Sequence, residues 1–146
     1  SSVIAEGEVH QLAAASRKDL PTEEYLTIIE AKTAALLTCA ARLGAMTANA
    51  TPRKLEALTT FGYNLGLAFQ VIDDILDVTQ TTEMLGKTAG KDEAVDKSTY
   101  PAILGLDASR KEAARLTVKA LKSLEIFGKK GKRLEQIARY LLEREY

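Results

Sequence analysis

The 146-residue chain predicts an all-α protein, and three observations carry that reading. Apolar residues recur at three- and four-residue spacing among Ala, Leu, Glu and Lys, the pattern of helices with one buried face. Short alternating runs bounded by Gly, Pro, Asn and Asp clusters, which would mark strands, are scarce. Two helix starts are written out: Thr22 precedes Glu23 and Glu24, acids that complement the helix dipole, and Thr51 precedes Pro52, whose missing N–H costs nothing in a first turn. A chain of this length buries roughly two thirds of its unfolded surface, so residues 1–146 read as a single helical region with its own core.

The first helix covers about Ser2 to Ser16, with Val3, Ile4, Val9, Leu12 and Ala13 at helical spacing, and breaks before Asp19, Leu20 and Pro21. The second runs from the Thr22 cap to about Ala48, with Tyr25, Ile28, Ile29, Leu36, Leu37, Cys39 and Leu43 on its apolar side. The third starts at Pro52 and fades near Thr79 to Thr82. The polar segment Met84 to Ser98, which holds glycines and lysines, reads as a functional loop. Short helices follow over about Thr99 to Gly105, from Asp107 as cap to about Leu124, and from about Lys132 to Glu143.

Composition narrows the function classes. Twenty basic and twenty acidic residues cancel without long blocks of either sign, which removes the field expected of a nucleic-acid binder. Any anion bound here is met by locally placed cations. A single cysteine, Cys39, forms no internal disulfide and fits a reducing cytoplasm. No apolar stretch approaches the roughly 20 residues of a membrane span, and the first residues lack the pattern of a secretory signal. The chain opens in mid-helix on Ser1 rather than on an initiator methionine, which reads as a truncated start.

The sharpest feature is Phe69-Gln70-Val71-Ile72-Asp73-Asp74-Ile75-Leu76-Asp77-Val78, three carboxylates in apolar surroundings. Helical spacing aligns Gly66, Gln70, Asp73 and Asp77 as one stripe with Asp74 at its edge. Like charges at this spacing repel, and no lysine or arginine lies within a turn to offset them. Hard oxygen donors suit Mg2+, which takes one or two carboxylates and completes its octahedron with water and phosphate oxygens. A solvated helix face is the alternative reading.

Cations for a phosphate group lie elsewhere in the chain. Lys32 emerges from the apolar side of the second helix next to the hydroxyl of Thr33, either to snorkel into water or to enter a cavity shared with the acids. Lys87 and Lys97 flank the loop in Leu85-Gly86-Lys87-Thr88 and Asp96-Lys97-Ser98-Thr99-Tyr100-Pro101. A P-loop is rejected at Gly86-Lys87-Thr88 because Thr81 stands where its leading glycine belongs and no strand precedes it. His10, the only histidine, lies far from the acids and reads as structural or surface.

Together the acidic helix, Leu85-Gly86-Lys87 and Lys97-Ser98-Thr99-Tyr100-Pro101 strongly resemble the second aspartate-rich region of trans-isoprenyl diphosphate synthases. Lys32-Thr33 matches that family's Lys-Thr motif, in a long helix ending at Leu43-Gly44-Ala45. The resemblance spans nearly the whole chain and covers the later half of a family enzyme. It implies the C-terminal half of an all-α isoprenoid synthase (terpenoid synthase-like) helical bundle, with a homodimer as the usual assembly.

It also implies a head-to-tail prenyltransferase that ionises an allylic diphosphate with Mg2+ and condenses the cation with isopentenyl diphosphate, releasing pyrophosphate. Carried over by position, Asp73 and Asp77 are metal ligands, and Asp73, Asp74, Asp77 and Lys87 form the catalytic set. Lys32, Thr33, Gln70, Lys87 and Lys97 hold the allylic diphosphate, and Phe69 faces the isopentenyl side. The missing N-terminal half carries the other aspartate-rich motif, so this chain is expected to be inactive alone. Gly7-Glu8 stands where many short-chain members have Gly-Gln. Two other readings remain: a non-catalytic helical subunit or regulator of a full-length synthase, and a terpene cyclase, whose second metal motif carries Asn, Ser or Thr and Glu instead of this acid cluster.

Overall fold

A computed structural model describes residues 2–14, 21–87 and 100–143, and every regular element among them is helical. In order these are α1 (Ser2–Ala14), α2 (Thr22–Ile29), a π-helical turn (Glu30–Ala34), α3 (Ala35–Thr47), α4 (Pro52–Lys87), α5 (Tyr100–Leu104), α6 (Leu106–Ser123), a 3₁₀ segment (Glu125–Gly131) and α7 (Lys132–Leu142). No described helix is long and apolar enough to cross a membrane.

Helix α4 is the centre of the bundle. Phe61, Leu65, Leu67, Ala68, Val71, Ile72 and Ile75 are buried in it and point in several directions around its axis, the signature of a helix enclosed by neighbours. Its main partners are α3 with the π turn, and α6. Helix α6 buries Ser109, Ala113, Leu116 and Ala120 at alternating four- and three-residue steps, one stripe on its surface. Helix α7 adds Ala138 and Leu142 to the same core.

The starts of the helices follow local chemistry. Thr51 precedes α4 as expected: its hydroxyl accepts from the Lys54 N–H at 3.4 Å and its carbonyl from the Leu55 N–H at 2.9 Å. The chain reverses between α3 and α4 through Asn49 at φ 50, a left-handed conformation that asparagine tolerates better than most residues. Asp107 is not the cap of α6; Gly105, at φ 85, occupies that position and Asp107 falls in the first turn. The reason is the chain reversal at Gly105, whose carbonyl accepts from both the Ser109 hydroxyl (2.7 Å) and N–H (3.1 Å).

Three further expectations shift. The helical run after Thr22 is broken into α2 and α3 by the π turn. The third helix does not fade at Thr79 but continues to Lys87, taking in Met84 to Lys87 of the expected loop. Thr79 turns its hydroxyl back onto the carbonyls of Ile75 (2.9 Å) and Leu76 (3.1 Å), so its polar group is satisfied inside the helix and signals no stop. Residues 88–99, the rest of that loop, lie outside the described residues. On α3, Leu36, Cys39 and Leu43 are exposed, whereas Ala34 and Ala45 are buried. At Ala34 the approach to Gly66 of α4 is close enough to bring the two backbones together.

Candidate functional site

The site is organised by how near the π turn comes to α4. A β-carbon on Gly66 would lie 2.5 Å from Ala34 Cα, and one on Gly62 would lie 2.7 Å from the Leu37 carbonyl oxygen. Two glycines one turn apart therefore let two backbones touch. The π turn inserts a residue into the helical repeat and rotates Thr33 relative to α3, a feature that recurs at functional positions.

This contact hands the Thr33 side chain to Gln70, one turn beyond Gly66. The Thr33 hydroxyl donates to Gln70 Oε1 at 3.2 Å, and Gln70 Nε2 donates to Asp74 Oδ1 at 3.0 Å. Asp74 is 6% exposed and Gln70 is buried beside it. A buried carboxylate is tolerated only when hydrogen-bonded, so Asp74 fixes the Gln70 amide and Gln70 fixes the threonine. Asp74 thus sits inside the protein rather than at the edge of an acidic stripe.

Asp73 is half-buried and Asp77 exposed, on the same side of α4 one turn apart. Among the described residues no three His, Cys, Asp or Glu side chains converge to hold a metal by themselves. A half-buried and an exposed carboxylate one turn apart are hard oxygen donors, the kind that Mg2+ takes singly or in pairs when water and phosphate oxygens complete its shell.

Lys32 Nζ lies 3.1 Å from Glu8 Oε1 of α1, which packs on the π turn. Phe69 is half-buried against the core. The backbone of Lys87 ends α4, ten residues or about 15 Å of helix rise beyond Asp77. Its side chain, and Lys97 altogether, lie outside the described residues. The structure therefore brings together Thr33, Gln70 and Asp74, keeps Lys32 on the adjoining residue, and arrays Asp73 and Asp77 along the same helix.

Two features of the site escape a reading of sequence. One is Glu8 as the partner of Lys32, since nothing local ties residue 8 to residue 32. The other lies across the π turn, where the Tyr63 hydroxyl hydrogen-bonds Glu30. Burial, then the neighbouring Glu30 charge and that hydrogen bond, hold the Tyr63 phenol above its ordinary pKa of 10.0. Tyr63 and Glu30 also line an outer cavity of about 410 Å3 with Thr38, Cys39, Arg42 and Met46.

The fold and site define an all-α bundle with a carboxylate-bearing central helix and a Lys-Thr pair on a π turn, and comparison with known proteins makes the family definite. The chain belongs to the polyprenyl synthetase family, whose model matches residues 1–141. It is 41% identical over 143 residues to the chloroplastic geranylgeranyl pyrophosphate synthase of Capsicum annuum, covering 97% of this chain and 39% of that protein. It is 42% identical over 134 residues to the farnesyl diphosphate synthase of Escherichia coli strain K12, covering 89% of this chain and 45% of that protein. The crystal structure of a Helicobacter pylori geranyltransferase complexed with magnesium and isoprenyl diphosphate superposes with a TM-score of 0.70 at 25% identity, over 96% of this chain and 46% of the other. The fold is the all-α, terpenoid synthase-like fold of the isoprenyl diphosphate synthases. The chain spans about two fifths of the length of the curated relatives it matches (41% and 39% for two of them).

Proposed function

We propose that this chain supplies one wall of a trans-prenyl diphosphate synthase site, in which an allylic diphosphate ionises to release pyrophosphate, the double bond of isopentenyl diphosphate adds to the resulting cation, and the adduct loses a proton to the pyrophosphate. The observation that supports the reading is the Thr33–Gln70–Asp74 chain, buried at its Gln70 and Asp74 end, which links the hydroxyl of the Lys32-Thr33 turn to the helix that bears Asp73 and Asp77.

In this reading Asp73 and Asp77 are the side chains that would hold Mg2+, their hard, solvent-facing oxygens being the donors that ion prefers. When bound, the ion neutralises negative charge growing on the departing pyrophosphate. Lys32, Lys87 and Lys97 add cationic charge to the same phosphates, and Thr33 and Gln70 orient them. Asp74 acts through Gln70 as a positioning residue. Phe69 faces the isopentenyl side, and the apolar wall of α4 excludes water that would quench a cation.

A second wall with the other aspartate-rich motif, supplied by an N-terminal half, belongs to the same proposal, as do homodimer formation and a cytoplasmic setting. The test is an assay of this chain with isopentenyl diphosphate, farnesyl or geranyl diphosphate and Mg2+. Little or no chain elongation is expected without the second wall. Robust turnover by the chain alone would refute the half-site reading.

A further inference from the structure

We propose that Glu8 is a resident counter-ion of Lys32 that competes with diphosphate for its ammonium group and thereby sets how tightly the site takes its anion. The inference deepens the proposed function and rests on its assignment of Lys32 to diphosphate binding.

Gly7 is buried, so the α1 backbone lies close against its surroundings, and the next residue, Glu8, reaches Lys32 Nζ at 3.1 Å. The pair is half open to water, with Lys32 28% and Glu8 49% exposed. Ion pairs in that setting are weak and readily exchanged, because water screens them and two long side chains must be held still. The neighbouring Thr33–Gln70–Asp74 chain is different, since its acceptor end is buried and fixed. The site therefore combines a locked polar edge with one cation that can change partners.

A diphosphate carries more charge than a carboxylate and takes Lys32 from Glu8. The displaced carboxylate stays on the same helix turn, within the roughly 10 Å over which charges interact at ordinary salt. It opposes the anion twice, by competing for Lys32 before binding and by repelling the phosphates afterwards. Glu8 thus lowers affinity and eases release of the pyrophosphate product.

The experiment measures binding of inorganic pyrophosphate with Mg2+ to this chain by NMR titration, at concentrations up to millimolar, for wild type, Glu8→Gln, Lys32→Met and the double variant. Glu8→Gln keeps the size of the side chain and removes its charge. It is expected to tighten binding by roughly two- to fivefold at low salt, the equivalent of ~0.5–1 kcal/mol, with the gain shrinking as salt rises. In the Lys32→Met background the competition for the ammonium is gone and only the screened repulsion is left, so the Glu8 substitution is expected to tighten binding by less than it does in wild type. That coupling distinguishes a counter-ion from a residue that merely supports the fold. If Lys32→Met weakens binding while Glu8→Gln leaves it unchanged or weakens it, the Glu8 proposal is overturned and the diphosphate site stands. If neither substitution matters, or pyrophosphate does not bind at all, Lys32 is no diphosphate ligand and both readings fall.

Discussion

Gly66 of α4 and Ala34 of the π turn are in backbone contact, so close that a β-carbon on the glycine would stand 2.5 Å from Ala34 Cα. The group in the way is main chain and cannot swing aside. Gly66→Ala is therefore expected to push the π turn off α4, at a cost of ~1–3 kcal/mol, and to separate Thr33 from Gln70. Thermal unfolding reads the first effect and loss of pyrophosphate affinity the second. An unchanged melting temperature would show that the helices part without penalty.

Asp74 makes the second prediction. Asp74→Ala removes the acceptor of a buried amide, Gln70 Nε2, and is expected to destabilise the chain by ~1–3 kcal/mol. Asp74→Asn retains an oxygen acceptor and should cost distinctly less. Chemical denaturation of the two variants checks the order. Equal losses would mean that Asp74 matters only through its charge.

The Tyr63 phenol carries a pH signature. Its pKa is raised from 10.0 by burial and by Glu30, so folding favours its neutral form. Stability from that preference is complete below the ordinary value and is lost as pH climbs through the raised one. The stability gap between wild type and Tyr63→Phe is thus expected to be flat up to about pH 9 and to shrink above about pH 10. A gap that does not narrow there would contradict the Tyr63–Glu30 hydrogen bond.

Much of this was legible in the sequence. Periodicity gave the helices and the Thr51-Pro52 start, because those signals are local. The acidic motif and Lys32-Thr33 were visible because few surface helices place carboxylates among Val, Ile and Leu. What stayed hidden depends on pairs distant in the chain. Gly62 and Gly66 read as ordinary glycines until α3 lies on the first and the π turn on the second, and in that arrangement Leu36 and Leu43 are turned outward. The π turn carries no composition of its own. The end of α4 lies beyond the expected fade near Thr79 to Thr82, because Thr79 satisfies its hydroxyl on the helix itself and the helix runs on to Lys87. Asp73 and Asp74 are adjacent in sequence yet one is half-buried and the other buried, a division set by which neighbour packs beside each.

Within a full-length protein carrying this segment, Asp73→Ala is expected to lower the condensation rate by roughly a hundredfold or more, as loss of a group acting in the transition state does. Steady-state kinetics with saturating substrates measures it. A rate within twofold of wild type, to order of magnitude, would remove Asp73 from the mechanism.

The central claim is that Asp73 and Asp77 on α4 and Lys32-Thr33 on the π turn face one Mg2+-diphosphate group. Isothermal titration of this chain with pyrophosphate, with and without Mg2+, tests it most directly when repeated on Asp73→Asn, Asp77→Asn and Lys32→Met. The account predicts binding that requires Mg2+ and weakens in all three variants. Binding that ignores both the metal and the two aspartates would contradict it.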